Sequence, residues 1–430
     1  MSKTIAILGM GKSGQSAARL ALSLGHNVHC IDANPTAPTI SGCHCHYATD
    51  VDISFVQEIV VSPGVPQHNA IIQQAQKLSI PISGELGFAA QHLSTPLVAI
   101  TGTNGKSSTA FYTHQLLQQL GQRSFIGGNF GTALSEMALQ EDQYDIGVVE
   151  VSSYQMEFPN GFCPDVAVAL NLSPDHLKRH GTMEVYAEMK RRIFAEQSSE
   201  QISIVTKGET ELTPKHRTTL WWIGDFPGAK IEANTLRIKT PEKSIDLSLN
   251  TLGLMGLHNQ QNVMAACLIL HGRGFDIQHL NLALLKPLEH RLETIQMNDG
   301  IVWVNDSKAT NIEAASAGIQ AIGAQQIVLL GGAGKENANY QRLLPLLRQH
   351  AQDIICFGRS GEEIHQQLQN CGLSLHLCSH LDKAVGLAQR LAKKNMYIVL
   401  SPACASFDEF RNFEHRGDVF KQLIHLKEFS

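Results

Sequence analysis

LVAITGTNGKSST, Leu97 to Thr109, runs from an apolar segment through a glycine-bounded polar loop into a hydroxyl-rich run. Leu97 to Ile100 reads as a buried strand, Gly102 and Gly105 punctuate the loop, and Ser107 opens a helix that reaches Leu120. A strand, glycine loop and helix in that order can present successive backbone N–H groups to phosphate oxygens. Lys106 can neutralise charge on the β and γ phosphates, and the Ser107 hydroxyl can ligate Mg²⁺. The strict pattern has a glycine where Ile100 stands, yet the flanking strand and helix make a chance Gly-Lys-Ser turn improbable. A nucleoside triphosphate site is therefore expected at Gly102, Thr103, Asn104, Gly105, Lys106, Ser107 and Ser108.

Strand-like and helix-like segments alternate on both sides of this stretch, the pattern of parallel sheets with helical crossovers, so the fold class is α/β. A first series holds strands at Thr4 to Leu8, Val28 to Ile31 and Ile59 to Val61, with a helix from Gln15 to Leu24. The second continues from Leu97 with strands at Ile146 to Val151 and Val166 to Leu170. A third begins at Ile301 to Val304 and continues at Ile327 to Leu330, Ile354 to Phe357 and Tyr397 to Leu400. Short alternating β segments between Trp221 and Leu249 (TLRIKT, SIDLSL) read as an antiparallel insertion that only decorates the middle series. At about 150 residues per domain, 430 residues suggest about three domains. Boundaries near 90 and 288 give a Rossmann-like domain at 1–90, a central ATPase-like domain with a mostly parallel sheet at 91–288, and a second Rossmann-like domain at 289–430.

Thirty-four Lys and Arg against 39 Asp and Glu leave a formal charge of -5, so no global basic field would hold the chain on nucleic acid or an anionic membrane. The amino-terminal apolar stretch is short and runs into glycines, a first strand rather than a signal peptide, and no apolar segment approaches the ~20 residues that span a bilayer. Nine cysteines without a Cys-x-x-Cys pair indicate neither a disulfide framework nor a zinc ribbon, and a cytosolic protein is expected. Cys43, His44, Cys45 and His46 are clustered, but alternate residues on a strand face opposite ways and cannot easily close one tetrahedral site.

Gly9-Met-Gly-Lys-Ser-Gly14 follows the first strand as a full G-x-G-x-x-G, with Asp32 ending the next strand where a ribose-binding acid is expected. That fingerprint reports a nucleotide-like diphosphate near a βα turn and suggests a dinucleotide dehydrogenase. Glu150 ends an apolar strand where an unpaired carboxylate is costly to bury, so a metal or a hydrogen-bonded partner is implied. His176 follows another strand end and could offer an imidazole to the same cleft. Lys190 lies on a helix beside Arg191 and Arg192, and spacing does not choose among the three.

The loop Thr101 to Ser107 resembles that of the Mur ligase superfamily, whose members join an amino acid to a carboxylate through an acyl phosphate. His290-Arg-Leu-Glu293, Gly331-Gly-Ala-Gly-Lys335, Asp306-Ser-Lys-Ala-Thr-Asn311 and the run Leu400 to Phe413 narrow the resemblance to members that add D-glutamate to UDP-N-acetylmuramoyl-L-alanine in peptidoglycan synthesis. The resemblance implies that the first domain binds a uridine diphosphate group instead of NAD, through Ser13, Asp32, Ala33, Asn34 and Gly64, with Asn129 and His176 reaching the muramoyl-alanine portion. It implies ATP and two Mg²⁺ ions, one held by Ser107 and Glu150, the other by His176 and a CO₂-derived carbamate on Lys190, with Lys106, Glu150, His176 and Lys190 as the catalytic set. It places adenosine at Asn259, Asn262, Arg291 and Asp306, and D-glutamate at Lys308, Thr310, Lys335, Ser406, Phe407 and Phe413. A monomer acting on small molecules, with neither nucleic acid nor membrane as partner, is expected.

Three rival readings remain. A folylpolyglutamate synthetase-like or sister ligase shares the phosphate loop but usually differs at Asp306 to Asn311. An NAD-dependent dehydrogenase explains Gly9 to Gly14 and leaves the second loop unexplained, and a non-catalytic nucleotide switch leaves Glu150 and His176 without a purpose.

Overall fold

The computed structural model describes residues 2–48, 51–241, 243–296, 300–369 and 372–425. It contains three sheets in two compact units, one formed by Met1–Leu252 with Gln261–Leu285, the other by Gly253–Gln260 with Lys286–Ser430.

The first sheet is parallel, with strands β1 (Thr4–Leu8), β2 (Asn27–Ile31), β3 (His44–His46), β4 (Glu58–Val61) and β5 (Ile82–Gly84) in the order β3-β2-β1-β4-β5. The strand order reverses beside β1, which is where open α/β sheets bind ligands beyond their carboxyl ends. The helix Lys12–Ser23 starts three residues earlier than its apolar pattern suggests. Small residues let it lie close to the sheet: Gly14, Ala17, Ala18 and Ala21 are buried, and a Cβ on Gly14 would sit 1.9 Å from the Gly9 carbonyl oxygen.

The second sheet comprises β6 (Leu97–Thr101), β7 (Ser124–Gly128), β8 (Ile146–Glu150), β9 (Val166–Ala169), β10 (Ile202–Thr206), β11 (Thr219–Ile223), β12 (Gly228–Glu232), β13 (Thr235–Lys239) and β14 (Ser244–Ser248). Their order is β14-β13-β12-β11-β10-β9-β6-β8-β7. Every residue of β6 and β8 is buried, as expected of central parallel strands covered on both faces. The segment from Trp221 to Leu249 is not a local decoration. β12 pairs in parallel with β11 and antiparallel with β13, and β13 pairs with β14, so the main sheet simply continues. Ala233 and Asn234, both at positive φ (46° and 60°), close the first of these hairpins in two residues. One apolar core runs from the β1 and β2 residues Ile5, Ile7 and Val28 through Leu97, Ala99 and Val149 to Val205.

The other unit holds β15 (Glu293–Gln296), β16 (Val302–Asn305), β17 (Gln326–Gly331), β18 (Ala351–Phe357), β19 (Ser374–Leu377) and β20 (Tyr397–Leu400), in the order β15-β16-β20-β17-β18-β19. Only the β15–β16 pairing is antiparallel. Among the described residues no helix is long and apolar enough to cross a membrane.

Candidate active site

The phosphate loop leaves the carboxyl end of β6 and enters the helix Lys106–Gln119. Gly102 and Gly105 stand at φ +153° and +86°, where a side chain would strain the backbone, and a Cβ on Gly105 would lie 2.6 Å from Asn262 Oδ1. The Asn171 side chain clamps the loop from the end of β9: its Oδ1 accepts from the Asn104 N–H (2.9 Å) and its Nδ2 donates to the Asn104 carbonyl (3.0 Å). No side chain caps the helix amino end and no acid lies in its first turn, so its leading N–H groups suit an anion. Lys106 Nζ donates to the Gly102 and Thr103 carbonyls at 2.9 and 3.0 Å, holding the ammonium over the loop.

Lys190, on the helix Met183–Arg191, is 1% exposed. Its Nζ donates to the same Gly102 carbonyl at 2.7 Å and lies 4.6 Å from the Tyr186 ring centroid. Burial, with the neighbouring Lys106 charge second, holds its amine well below the usual lysine range. His176, at φ 53°, meets the Tyr154 hydroxyl through Nδ1 (3.2 Å) and packs 6.3 Å from the Tyr186 ring, so His176 and Lys190 flank one tyrosine.

Glu150 ends β8 directly opposite Ile100 of β6. It is 2% exposed; Oε1 accepts from Asn129 Nδ2 at 2.7 Å, while Oε2 is buried with no hydrogen-bond partner among the described residues. An ionised oxygen left dry beside a phosphate loop is costly unless a cation meets it. Ser107, buried at the start of the helix that follows β6, adds a hydroxyl, and a carboxylate with a hydroxyl is a donor pair that suits a hard divalent ion.

Ser13, Asp32, Ala33, Asn34 and Gly64 gather beyond the carboxyl ends of the adjacent strands β1, β2 and β4. Asp32 shapes this end of the sheet, its Oδ2 accepting from the Met10 N–H (2.7 Å) and its Oδ1 from the Asn34 N–H (2.8 Å). Arg179, three residues after His176, donates to the Val65 carbonyl (2.7 Å) and pairs with Glu157, tying the Gly64 loop to the His176 segment. The first unit thus brings the Gly64 loop, His176, Lys190, Glu150 and the phosphate loop into one connected framework.

In the other unit Lys308 and Thr310 follow β16, Lys335 follows β17, and Ser406 and Phe407 follow β20, all beyond the carboxyl ends of neighbouring parallel strands. Ala333 and Ala405 exchange backbone hydrogen bonds at 2.8 and 3.0 Å, joining the last two loops. Lys308 Nζ sits 4.1 Å from the Phe413 ring centroid. Phe407 is 71% exposed, so in this conformation it does not dry a pocket. Asp306 is buried, accepts from Ser401 Oγ at 2.8 Å, and is pushed up to about 7 chiefly by burial. Arg291, also of this unit, has a buried Nε without a hydrogen-bond partner among the described residues. Asn262 lies against the phosphate loop, accepting from Thr109 Oγ1 at 3.3 Å, whereas Asn259 belongs to the second compact unit.

Three contributors were missed in the sequence. Asn171 and Tyr186 support the phosphate loop, and the fully buried Arg416 guanidinium donates to the Ser307, Cys404 and Ala405 carbonyls, fixing the loops after β16 and β20. An asparagine just past the apolar strand AVAL was the one available signal; a tyrosine or arginine on an amphipathic helix gives none.

Comparison with known families matches a MurD-like Mur ligase amino-terminal domain at residues 3–84, a Mur ligase middle domain at 100–270 and a Mur ligase glutamate ligase domain at 290–404. A UDP-N-acetylmuramoylalanine–D-glutamate ligase of Legionella pneumophila (strain Paris) is 32% identical, covering 97% of this chain and 98% of that one. One of the same name from Acidobacterium capsulatum is 34% identical over 98% and 96% of the two chains. The crystal structure of MurF ligase from Thermotoga maritima in complex with ADP superposes with a TM-score of 0.63 at 16% identity, covering 100% of this chain and 96% of that one. Three family domains matched in order and relatives at least 32% identical over nearly the whole chain carry one conclusion: this chain belongs to the Mur ligase family.

Proposed function

We infer that this chain is an ATP-dependent ligase that adds D-glutamate to the alanyl carboxylate of UDP-N-acetylmuramoyl-L-alanine through an acyl phosphate, in peptidoglycan precursor synthesis. The dry Oε2 of Glu150 beside the phosphate loop carries the reading, because it calls for a cation where a triphosphate would lie. The relatives' shared name supplies the two substrates.

In this reading an oxygen of the alanyl carboxylate attacks the γ-phosphorus, its bond to the β–γ bridging oxygen breaks, and ADP departs. The D-glutamate amine then attacks the acyl carbon, phosphate leaves with its electron pair, and the amine proton passes to solvent. Lys106 exchanges its two loop carbonyls for phosphate oxygens and faces the charge spreading over the transferring group. Ser107 and Glu150 would hold one Mg²⁺, and His176 with a modified Lys190 a second; bound there, the ions neutralise charge on the phosphates. Burial supports the modification, since a lysine kept neutral can attack CO₂ through its lone pair and release a proton to give a carbamate. Asn129 and His176 are assigned to the muramoyl-alanine portion, and Ser13, Asp32, Ala33, Asn34 and Gly64 to the uridine diphosphate. Asn259, Asn262, Arg291 and Asp306 are assigned to adenosine. Lys308, Lys335, Thr310 and Ser406 suit the two carboxylates of glutamate, with Phe407 and Phe413 beside them. The divisions at 1–90, 91–288 and 289–430 then carry uridine diphosphate, the ATP phosphates and the amino acid respectively, with Arg291 and Asp306 of the third assigned to adenosine. The reaction needs neither nucleic acid, membrane nor a second chain, and its use of ATP suits the cytoplasm.

The test supplies ATP, Mg²⁺ and UDP-N-acetylmuramoyl-alanine, varies the amino acid, and measures phosphate and product mass. Phosphate and a mass gain of one glutamyl residue with D-glutamate alone are expected. Equal turnover with L-glutamate or another amino acid, or reduction of added NAD, would overturn the reading.

A further inference from the structure

β2 and β3 lie at one edge of the first sheet and pair in parallel, with His29 opposite His44, Cys30 opposite Cys45 and Ile31 opposite His46. Side chains alternate between faces along a strand, so this register sorts the cluster by chemistry: His29, His44 and His46 share one face, and Cys30, Cys43 and Cys45 the other. The register therefore separates the mixed four-residue cluster into a face of imidazoles and a face of thiols.

The three imidazoles are already in contact. The His29 ring stacks on His44 with centroids 4.8 Å apart, and on His46 at 5.1 Å with an interplanar angle of 11°. His29 Nδ1 and His46 Nε2 are 2.9 Å apart and share one proton between them. Phe55 packs edge-on against His29 at 4.8 Å, covering that ring on one side. His44 is exposed, while His29 and His46 are half-buried.

We propose that His29, His44 and His46 form a binding site for a divalent transition-metal ion of the imidazole-preferring class, such as Ni²⁺, Cu²⁺ or Zn²⁺. With metal–nitrogen bonds of about 2.0–2.1 Å, two nitrogens bound at right angles lie about 2.9 Å apart, and at a tetrahedral angle about 3.4 Å. The His29–His46 separation is already in that range, so the ion replaces a shared proton once each ring turns its lone pair off the line that joins the two nitrogens. His44, two residues from His46 on the same face, supplies a third arm from a side chain free to turn toward solvent. Among the described residues the ligand atoms that lie within 4.8 Å of one another as a set of three are those of Glu289, His290 and Glu293, but there the Lys421 ammonium contacts Glu289 and lies 3.5 Å from Glu293, so a cation already occupies that face.

The test is equilibrium dialysis of the full chain against Ni²⁺ with Mg²⁺ in large excess, which keeps hard-ion sites filled. One Ni²⁺ per chain is expected. Its affinity should fall at least about tenfold in His29→Gln and in His46→Gln and stay unchanged in Cys43→Ser/Cys45→Ser. Where a variant fails to fold, imidazole resonances of the wild-type chain supply the same answer, the signals of His29, His44 and His46 broadening first as paramagnetic Ni²⁺ is added. Absence of Ni²⁺ binding, stoichiometric binding that survives both histidine substitutions, loss of binding in the cysteine variant, or broadening confined to other histidines would each overturn the proposal. Ligase turnover plays no part in the readout, so this outcome is independent of the assigned activity.

Discussion

Glu150→Gln separates the two consequences of a carboxylate held dry for a cation. The substitution preserves shape and the Oε1 contact to Asn129 Nδ2, and it removes the charge from the oxygen that has no partner. A buried polar group without a hydrogen bond costs about 1–3 kcal/mol, more when charged, and the amide still leaves N–H groups unpaired there, so the ligand-free variant should be at least as stable as wild type. Ligand reverses the order. At a hundredfold excess over Kd, Mg·ATP stabilises the wild-type protein by about 2.7 kcal/mol. If the variant binds a hundredfold more weakly, the same concentration contributes only about 0.4 kcal/mol. Turnover should fall on the order of 10²–10³, as for loss of one preorganised transition-state contact. Paired urea titrations with and without Mg·ATP, followed by phosphate release, read all three quantities. A variant less stable than wild type without ligand, or one that keeps the full Mg·ATP stabilisation and turns over within a few-fold, would refute the reasoning.

Lys106→Ala, which removes the cation over the phosphate loop, should lower ADP formation on the order of 10²–10³; a coupled ADP assay within a few-fold of wild type would count against it. Lys190→Ala should be inactive and regain part of its activity with added acetate or formate, which replace the anionic carbamate; absence of rescue together with an unmodified lysine mass would remove the carbamate. The pH dependence of the second unit should change in Asp306→Asn. The folded acid is pushed up to about 7 from 3.8, so between those values the folded protein holds a proton that the unfolded chain has released, and stability falls as pH rises. One such proton is worth about 1.4 kcal/mol per pH unit, and denaturation at pH 5 and 7 should show the Asn variant gaining about 2–3 kcal/mol on wild type over that span; parallel curves would contradict it. Gly14→Ala places a Cβ 1.9 Å from the Gly9 carbonyl oxygen, so the helix must leave the turn. Binding of a uridine diphosphate sugar should weaken more than tenfold by calorimetry, and unchanged affinity would detach the glycine turn from that ligand.

What was legible in the sequence was local. Leu97 to Thr109 carried strand, loop and helix within thirteen residues, and the structure keeps the strand start at Leu97 and differs from that reading by one residue at the other three element ends. Glu150 announced itself as a carboxylate ending an otherwise apolar strand. Lys190 did not, because what singles it out from Arg191 and Arg192 is its burial against a carbonyl 88 residues earlier in the chain. Asn171, 67 residues from the Asn104 it clamps, was hidden for the same reason. The β12–β14 extension was misjudged because its strands alternate polar and apolar residues, as a separate hairpin would, and only the two-residue pairing of β12 with β11 joins them to the main sheet. The histidine and cysteine faces at the sheet edge depended on register, since His44 and Cys45 acquire their neighbours His29 and Cys30 only when β2 and β3 are aligned.

The central claim is that the substrate carboxylate is phosphorylated before the amide forms, and oxygen labelling tests it most directly. UDP-N-acetylmuramoyl-alanine carrying ¹⁸O in both carboxylate oxygens, turned over with ATP, Mg²⁺ and D-glutamate, should deliver one ¹⁸O to each phosphate released and keep the other in the new amide. Unlabelled phosphate accompanying full amide formation would contradict an acyl-phosphate route.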